Sequence, residues 1–314
     1  MRRPRKRSVG LLLAGLLALV TALATLAPAT AAAVAVDPVT TVARGAATTP
    51  AQQDKVESYW TTSRMRQATP AQHRIPDGAA ANVARGEQQV VADAPAQSQP
   101  AAAAAAVSTT TGKVFFTLGG VDYVCSGSST SSANRDVVST AGHCVNEGPG
   151  AFATNWAFVP AYNNGSRPYG TWTARTLVTT SAWANQGDIN YDGGFAVMNV
   201  LGGSHLTDVV GGQGIGFNLA RGLTYTAYGY PAAPPFNGET LKSCSGTAQD
   251  DTFGGTQSQS IPCNMTGGSS GGPWFTGGVQ NSVNSFGYTG VPNRMFGPYY
   301  GSAIQGAYNS AQNS

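Results

Sequence analysis

The chain is short of several things, and each shortage narrows what it can do. Of its 314 residues 11% are charged, and three are histidines, His73, His143 and His205. Its four cysteines, Cys125, Cys144, Cys244 and Cys263, include no C-x-x-C pair, which argues against a zinc site. Positive charge is scarce where a polyanion would need it. The formal net charge is +3, yet residues 1–106 hold 11 Lys and Arg against 6 Asp and Glu, while residues 107–314 hold 7 against 9. A domain without a basic block gives no support to nucleic-acid binding. After Ser270 there is no histidine, aspartate or glutamate. The G-x-S-x-G string at 268–272 therefore cannot serve an α/β-hydrolase esterase, whose acid and histidine follow the serine.

What is present begins with a leader. Arg2, Arg3, Arg5, Lys6 and Arg7 precede an apolar run from Val9 to Leu26, then a dense cluster of small residues with A-x-A sites. This pattern predicts a secretory signal peptide over residues 1–33. The competing reading is a membrane anchor, since the run is nearly long enough to span a bilayer. The small residues, with no positive charge just after the run, favour removal. A secreted, extracellular protein with no stable membrane association follows. An even cysteine count in an exported chain suggests disulfides. Three pairings are open, and the two neighbouring pairs, each separated by 19 positions, predict Cys125–Cys144 and Cys244–Cys263. Each stabilises the fold by about 3 kcal/mol in the chain-entropy picture.

Residues 34–110 read as a propeptide or low-complexity linker. They are rich in Ala, Thr, Gln and Pro, include six alanines at 101–106, and suit a flexible or weakly ordered segment. An island of Val56, Tyr59, Trp60, Ser63, Arg64 and Met65 has partial helical spacing. It favours an inhibitory or fold-assisting propeptide over a plain spacer. From Thr111 the texture changes to short β-branched and aromatic runs separated by glycine. Residues 113–118 and 121–125 around Gly119-Gly120 predict a hairpin. Further strands are expected near 136–140, 152–159, 173–179, 195–200, 224–230 and 282–288, with a helix near 302–311. Many short strands argue for an all-β sandwich or barrel, here over residues 111–314.

Two strings carry the chemistry. Ser139-Thr140-Ala141-Gly142-His143-Cys144 puts a histidine at the end of an apolar run, and Gly267-Gly268-Ser269-Ser270-Gly271-Gly272-Pro273 puts a serine in a glycine-rich turn. A serine hydroxyl needs an adjacent base to become a good nucleophile. Histidine, aspartate, serine is one of the chain orders in which that triad recurs. Asp188 and Asp192 are the candidate acids. Asp192 leads directly into the apolar run 195–198 and is preferred, because a strand begun at Asp188 would bury a second carboxylate without a partner. The backbone amides of Gly268 and Ser270 are placed to stabilise a developing oxyanion. His205 reads as an exposed loop residue, and Asp250-Asp251 as a solvated turn rather than a calcium site.

Together with Cys125-Ser126-Gly127, these strings resemble the chymotrypsin/trypsin-like serine proteases, with a closer likeness to the secreted bacterial trypsin-like and glutamyl-endopeptidase-like members. The resemblance covers residues 111–314. It implies two antiparallel six-stranded β-barrels with a short C-terminal helix, and a catalytic His143, Asp192 and Ser270 in the cleft between them. It also implies a disulfide from Cys125 to Cys144 tying down the histidine loop, and substrate contacts from Asn264, Ser285 and Gly287. No metal or organic cofactor is expected, the partner is a protein or peptide substrate, and the enzyme is expected to be a monomer. Two departures stand out. Ser269 occupies the place where many members carry an aspartate that pairs with a freed N-terminus. Asn264 occupies the pocket base where a trypsin-like preference for Lys or Arg needs a carboxylate. No histidine lies beyond His205 to serve as the one glutamyl endopeptidases place in this pocket. The alternative function is a catalytically silent trypsin-like barrel acting as an extracellular binding module.

Overall fold

Gly119 and Gly120 turn the first hairpin with φ of 57° and 80°, the left-handed pair that a two-residue β-turn requires. The hairpin joins strands Thr111–Leu118 and Val121–Thr130 in antiparallel register. Four more strands, Val137–Thr140, Thr154–Pro160, Trp172–Thr180 and Gly194–Met198, complete a closed six-stranded antiparallel barrel. Closure comes from the pairing of Ala157 with Thr173 and of Phe158 with Trp172. Val114, Phe116, Val138, Phe158 and Leu177 fill its interior. Burial of each such aliphatic or Phe side chain is worth roughly 1.5–3 kcal/mol.

The structure is a computed structural model that describes residues 41–75, 85–96 and 106–314. The expected signal peptide lies outside the described residues. The C-terminal half is built from two further sheets. One orders strands Lys242–Thr247, Thr224–Gly229, Pro273–Thr276, Val279–Val283, Gly214–Phe217 and Gln89–Val91; the other orders Gln249–Asp250, Gln259–Pro262, Arg294–Gly297, Phe286–Tyr288 and His73–Ile75. The fold is mostly β, with a closed barrel, further sheets and a short C-terminal helix, as a trypsin-like two-barrel fold requires. That helix, Ser302–Gln312, lies against the first barrel: Ile304, Ala307 and Tyr308 are buried, and the Tyr308 hydroxyl donates to the Ser131 carbonyl. The disulfides are Cys125–Cys144 and Cys244–Cys263.

Three expectations need correction. The run at 282–288 is two strands, Val279–Val283 and Phe286–Tyr288, because Asn284 and Ser285 leave one sheet to enter the next. The strand expected to reach Val200 stops at Met198, and Val200 is exposed. The largest difference is in residues 41–75, expected to be weakly ordered. They form a strand, Thr41–Gly45, and helices Pro50–Tyr59 and Thr62–Gln67. The first helix is started by a capping box between Thr49 and Gln52 with Pro50 in its first turn. The helical island supplies the buried anchors Val56, Trp60 and Met65, packed with Phe115, Val124 and Val159 on the outside of the first barrel. Composition failed here because a few large apolar residues, rather than the average, decide whether a segment docks.

Candidate active site

The cleft residues are delivered by the ends of barrel strands. Val137–Thr140 runs into the 3-10 turn Gly142–Cys144, which carries His143. The neighbouring strand pairs Gly194 with Thr140, so Asp192, two residues before Gly194, falls beside that turn. His143 donates its backbone N–H to Asp192 Oδ1 at 2.7 Å, and its Nδ1 lies 2.8 Å from Asp192 Oδ2. The Ser285 hydroxyl donates to the same Oδ2. Asp192 is wholly buried. Burial alone would raise its carboxyl pKa, but the charge and hydrogen bond of His143, then the Ser285 bond, outweigh it and hold the pKa below the usual value. An ionised Asp192 only accepts hydrogen bonds, so Nδ1 carries a proton and a neutral His143 keeps its lone pair at Nε2.

Asp188 is elsewhere. It caps the short turn Ile189–Tyr191 and accepts hydrogen bonds from the Asn190 backbone and side chain at 3.0 and 2.8 Å. Gly142 is needed for the close approach: a Cβ there would stand 2.8 Å from Asp192 Oδ1 and 2.9 Å from Trp183 Cδ1. Trp183, buried and donating from Nε1 to the Asn146 carbonyl, backs the imidazole with ring centroids 6.3 Å apart.

Ser270 sits in a loop pinned from several sides. Ser126 donates its N–H to the Ser270 carbonyl and its hydroxyl to the Gly268 carbonyl, and Gly271 donates to the Asn284 carbonyl. Ser269, at the departure from the family pattern, uses its hydroxyl to bond the Thr266 carbonyl, so here it fixes the turn. The carbonyl oxygen of Ala71, from the N-terminal segment, also enters this loop. It accepts the Gly268 N–H at 2.8 Å and the Ser270 hydroxyl at 3.3 Å. Both groups expected to act on a substrate carbonyl thus converge on a peptide carbonyl, with Ser270 reaching it through its side chain. His143 Nε2 is buried and has no hydrogen-bond partner among the described residues.

A cavity of about 300 Å³ opens beside Ser270. Asn264, Ser285 and Gly287 all line it, with Met265, Val291 and Met295. Ser285 has the further part, missed in the sequence, of bonding Asp192. Among the described residues no carboxylate lines the cavity, and Arg294 at its wall bonds to Ser260 and Gln249. Among the described residues the one grouping of three possible metal ligands is Cys125, His143 and Cys144, whose two sulfurs are joined in a disulfide and offer no thiolate. His205 is not a free loop residue: its Nδ1 lies 2.9 Å from the buried Asp136, which also pairs with Arg175. Asp251 is likewise no solvated turn. It accepts the backbone N–H groups of Phe253, Gly254 and Thr256 and the hydroxyls of Thr256 and Tyr288.

Among solved structures, the chain is similar to protease Anisep from Arthrobacter nicotinovorans, at 56% identity and a TM-score of 0.64 over 72% of this chain and all of that one. It is also similar to the thermostable serine protease AL20 from an extremophilic microorganism, at 52% identity and a TM-score of 0.64 over 66% of this chain and 98% of that one. A Glu endopeptidase structure, 18% identical with a TM-score of 0.52 over 64% of this chain and 90% of that one, shares the fold. A curated extracellular metalloprotease of Bacillus subtilis (strain 168) is 35% identical over 66 residues, so the chain spans only 21% of that relative's length. No family model matches.

Proposed function

Since the chain belongs to the trypsin/chymotrypsin-like serine proteases, we propose that it is a secreted serine endopeptidase whose catalytic groups are His143, Asp192 and Ser270. The observation that carries this reading is the convergence of the Gly268 N–H and the Ser270 hydroxyl on one peptide carbonyl, next to an imidazole held by a buried carboxylate. In the reaction His143 Nε2 takes the Ser270 proton as Oγ attacks the substrate carbonyl carbon. The oxyanion forms against the Gly268 and Ser270 amides. His143 then protonates the leaving amine, and water attacks the acyl-enzyme with His143 again as base. Asp192 keeps the Nδ1–H tautomer and stabilises the imidazolium, with Ser285 fixing the carboxylate in turn. Protein or peptide substrates present one side chain to the cavity beside Ser270, whose lining without a carboxylate disfavours Lys and Arg there.

The test is turnover of peptide substrates by the processed protein and its variants. Ser270→Ala and His143→Ala are expected to abolish hydrolysis above background. Asp192→Asn is expected to lower kcat by up to about 10⁴, as removal of the charge does in the triad template, while Asp188→Asn keeps near-normal kcat. Equal losses in the two aspartate variants would contradict the assignment of the acid.

A further inference from the structure

The N-terminal segment does more than coat the first barrel. Thr69 and Pro70 pair in parallel with Tyr123 and Val124, and the Ala71 N–H donates to the Val124 carbonyl at 2.9 Å. The chain then crosses the cleft, and residues 73–75 add a parallel strand to Phe286–Tyr288. An extended segment added to an open sheet edge is a common way of binding a peptide. Between those two anchorages the Ala71 carbonyl takes the Gly268 N–H, and the Ser270 hydroxyl turns to the same oxygen. The His73 ring lies over His143 with centroids 5.8 Å apart at 32°, and meets Trp183 edge-on at 5.6 Å.

Resting on the serine-endopeptidase reading, we propose that Ala71, Gln72 and His73 form an inhibitory plug that holds the catalytic centre silent in the intact chain. The plug resists cleavage for a geometric reason. Attack on a carbonyl requires the serine proton to pass to His143. Here that proton is directed at the Ala71 oxygen, and His143 Nε2 has no hydroxyl to receive from. His73 covers the imidazole and so excludes a substrate from the same place. Because both sides of the plug are backbone-paired, it is seated by the segment that Trp60 and Met65 anchor on the first barrel.

The experiment is the rate at which the full chain reacts with a fluorophosphonate probe, read as adduct by intact mass. Wild type is expected to react at least about tenfold more slowly than Ala71→Glu, whose charge cannot stay at this buried position, and than His73→Ala; a plug seated 90–99% of the time slows reaction by about 10–100-fold. Lys55→Ala, at the cavity between the N-terminal segment and the outside of the first barrel, is expected to react like wild type. If Ala71→Glu does not fold, His73→Ala, a milder truncation, carries the comparison. Faster reaction in Ala71→Glu alone, with His73→Ala like wild type, would overturn the part given to His73. Wild type reacting as fast as both variants would overturn the plug and leave the enzyme reading intact. No adduct in any folded form, with folding checked by thermal unfolding, would overturn both.

Discussion

His73 is the residue whose ionisation bears most directly on the cleft. Burial, then repulsion from His143, lowers its pKa from 6.5, and attraction to Asp192 offsets only part of this. The ionisable groups facing it are His143 and Asp192, with Arg294 lining the same cavity. The seated state therefore prefers a neutral His73. Its full contribution to seating is present above pH 6.5, and is lost as pH falls through the depressed value, since the released segment takes up a proton more readily. In the proposed mechanism acid also slows the reaction of Ser270, so the informative quantity is a ratio. The probe reaction rate of His73→Ala divided by that of wild type is expected to shrink toward one as pH falls from about 7.5 to about 5.5. A ratio constant across that range would contradict this account of His73. The sequence marked His143 and Ser270 because their neighbours form strings, and preferred Asp192 because of the apolar run behind it. Nothing local marked His73, or the bond that Ser285 makes to Asp192. Their parts arise from contacts across 70 and 93 positions, beyond what neighbouring residues reveal.

At the scale of elements, the turn that carries His143 depends on its lack of a side chain at position 142. A Cβ there meets a buried carboxylate and a buried indole, neither of which can retreat without moving the imidazole. Gly142→Ala is expected to destabilise the fold by about 1–3 kcal/mol in denaturant unfolding and to reduce kcat more than KM. Unchanged stability and kcat would show that the packing is looser than described. The elements that were legible share a property: their register or face is written into the side chains. The hairpin over 111–130 has a Gly-Gly turn, and the C-terminal helix shows its apolar stripe. The missed strands do not. Lys242–Thr247 is polar and largely exposed, and Gly214–Phe217 and Pro273–Thr276 have four residues each; all are strands because partners bond them. Backbone pairing across distant segments leaves little periodicity to read.

Over the whole molecule, four separate pieces of residues 41–91 add to sheets of the protease body: Thr41–Gly45 beside Trp172–Thr180, Thr69–Pro70 beside Val121–Thr130, His73–Ile75 beside Phe286–Tyr288, and Gln89–Val91 beside Gly214–Phe217. Open sheet edges are liabilities, and the segment covers several at once while crossing the cleft. The solved relatives match over 72% and 66% of this chain while being covered almost completely themselves, so a quarter or more of the chain lies outside what they share. The molecule is thus a protease with an attached segment whose contacts converge on the loop that carries Ser270. The most direct measurement is the intact mass and adduct site of the protein, freed of its N-terminal segment, after fluorophosphonate treatment. One adduct per chain, mapping to the peptide that contains Ser270 and lost in His143→Ala, is the predicted result. A folded, processed protein that takes no adduct, or takes it elsewhere, would contradict the account and leave a silent barrel that only binds.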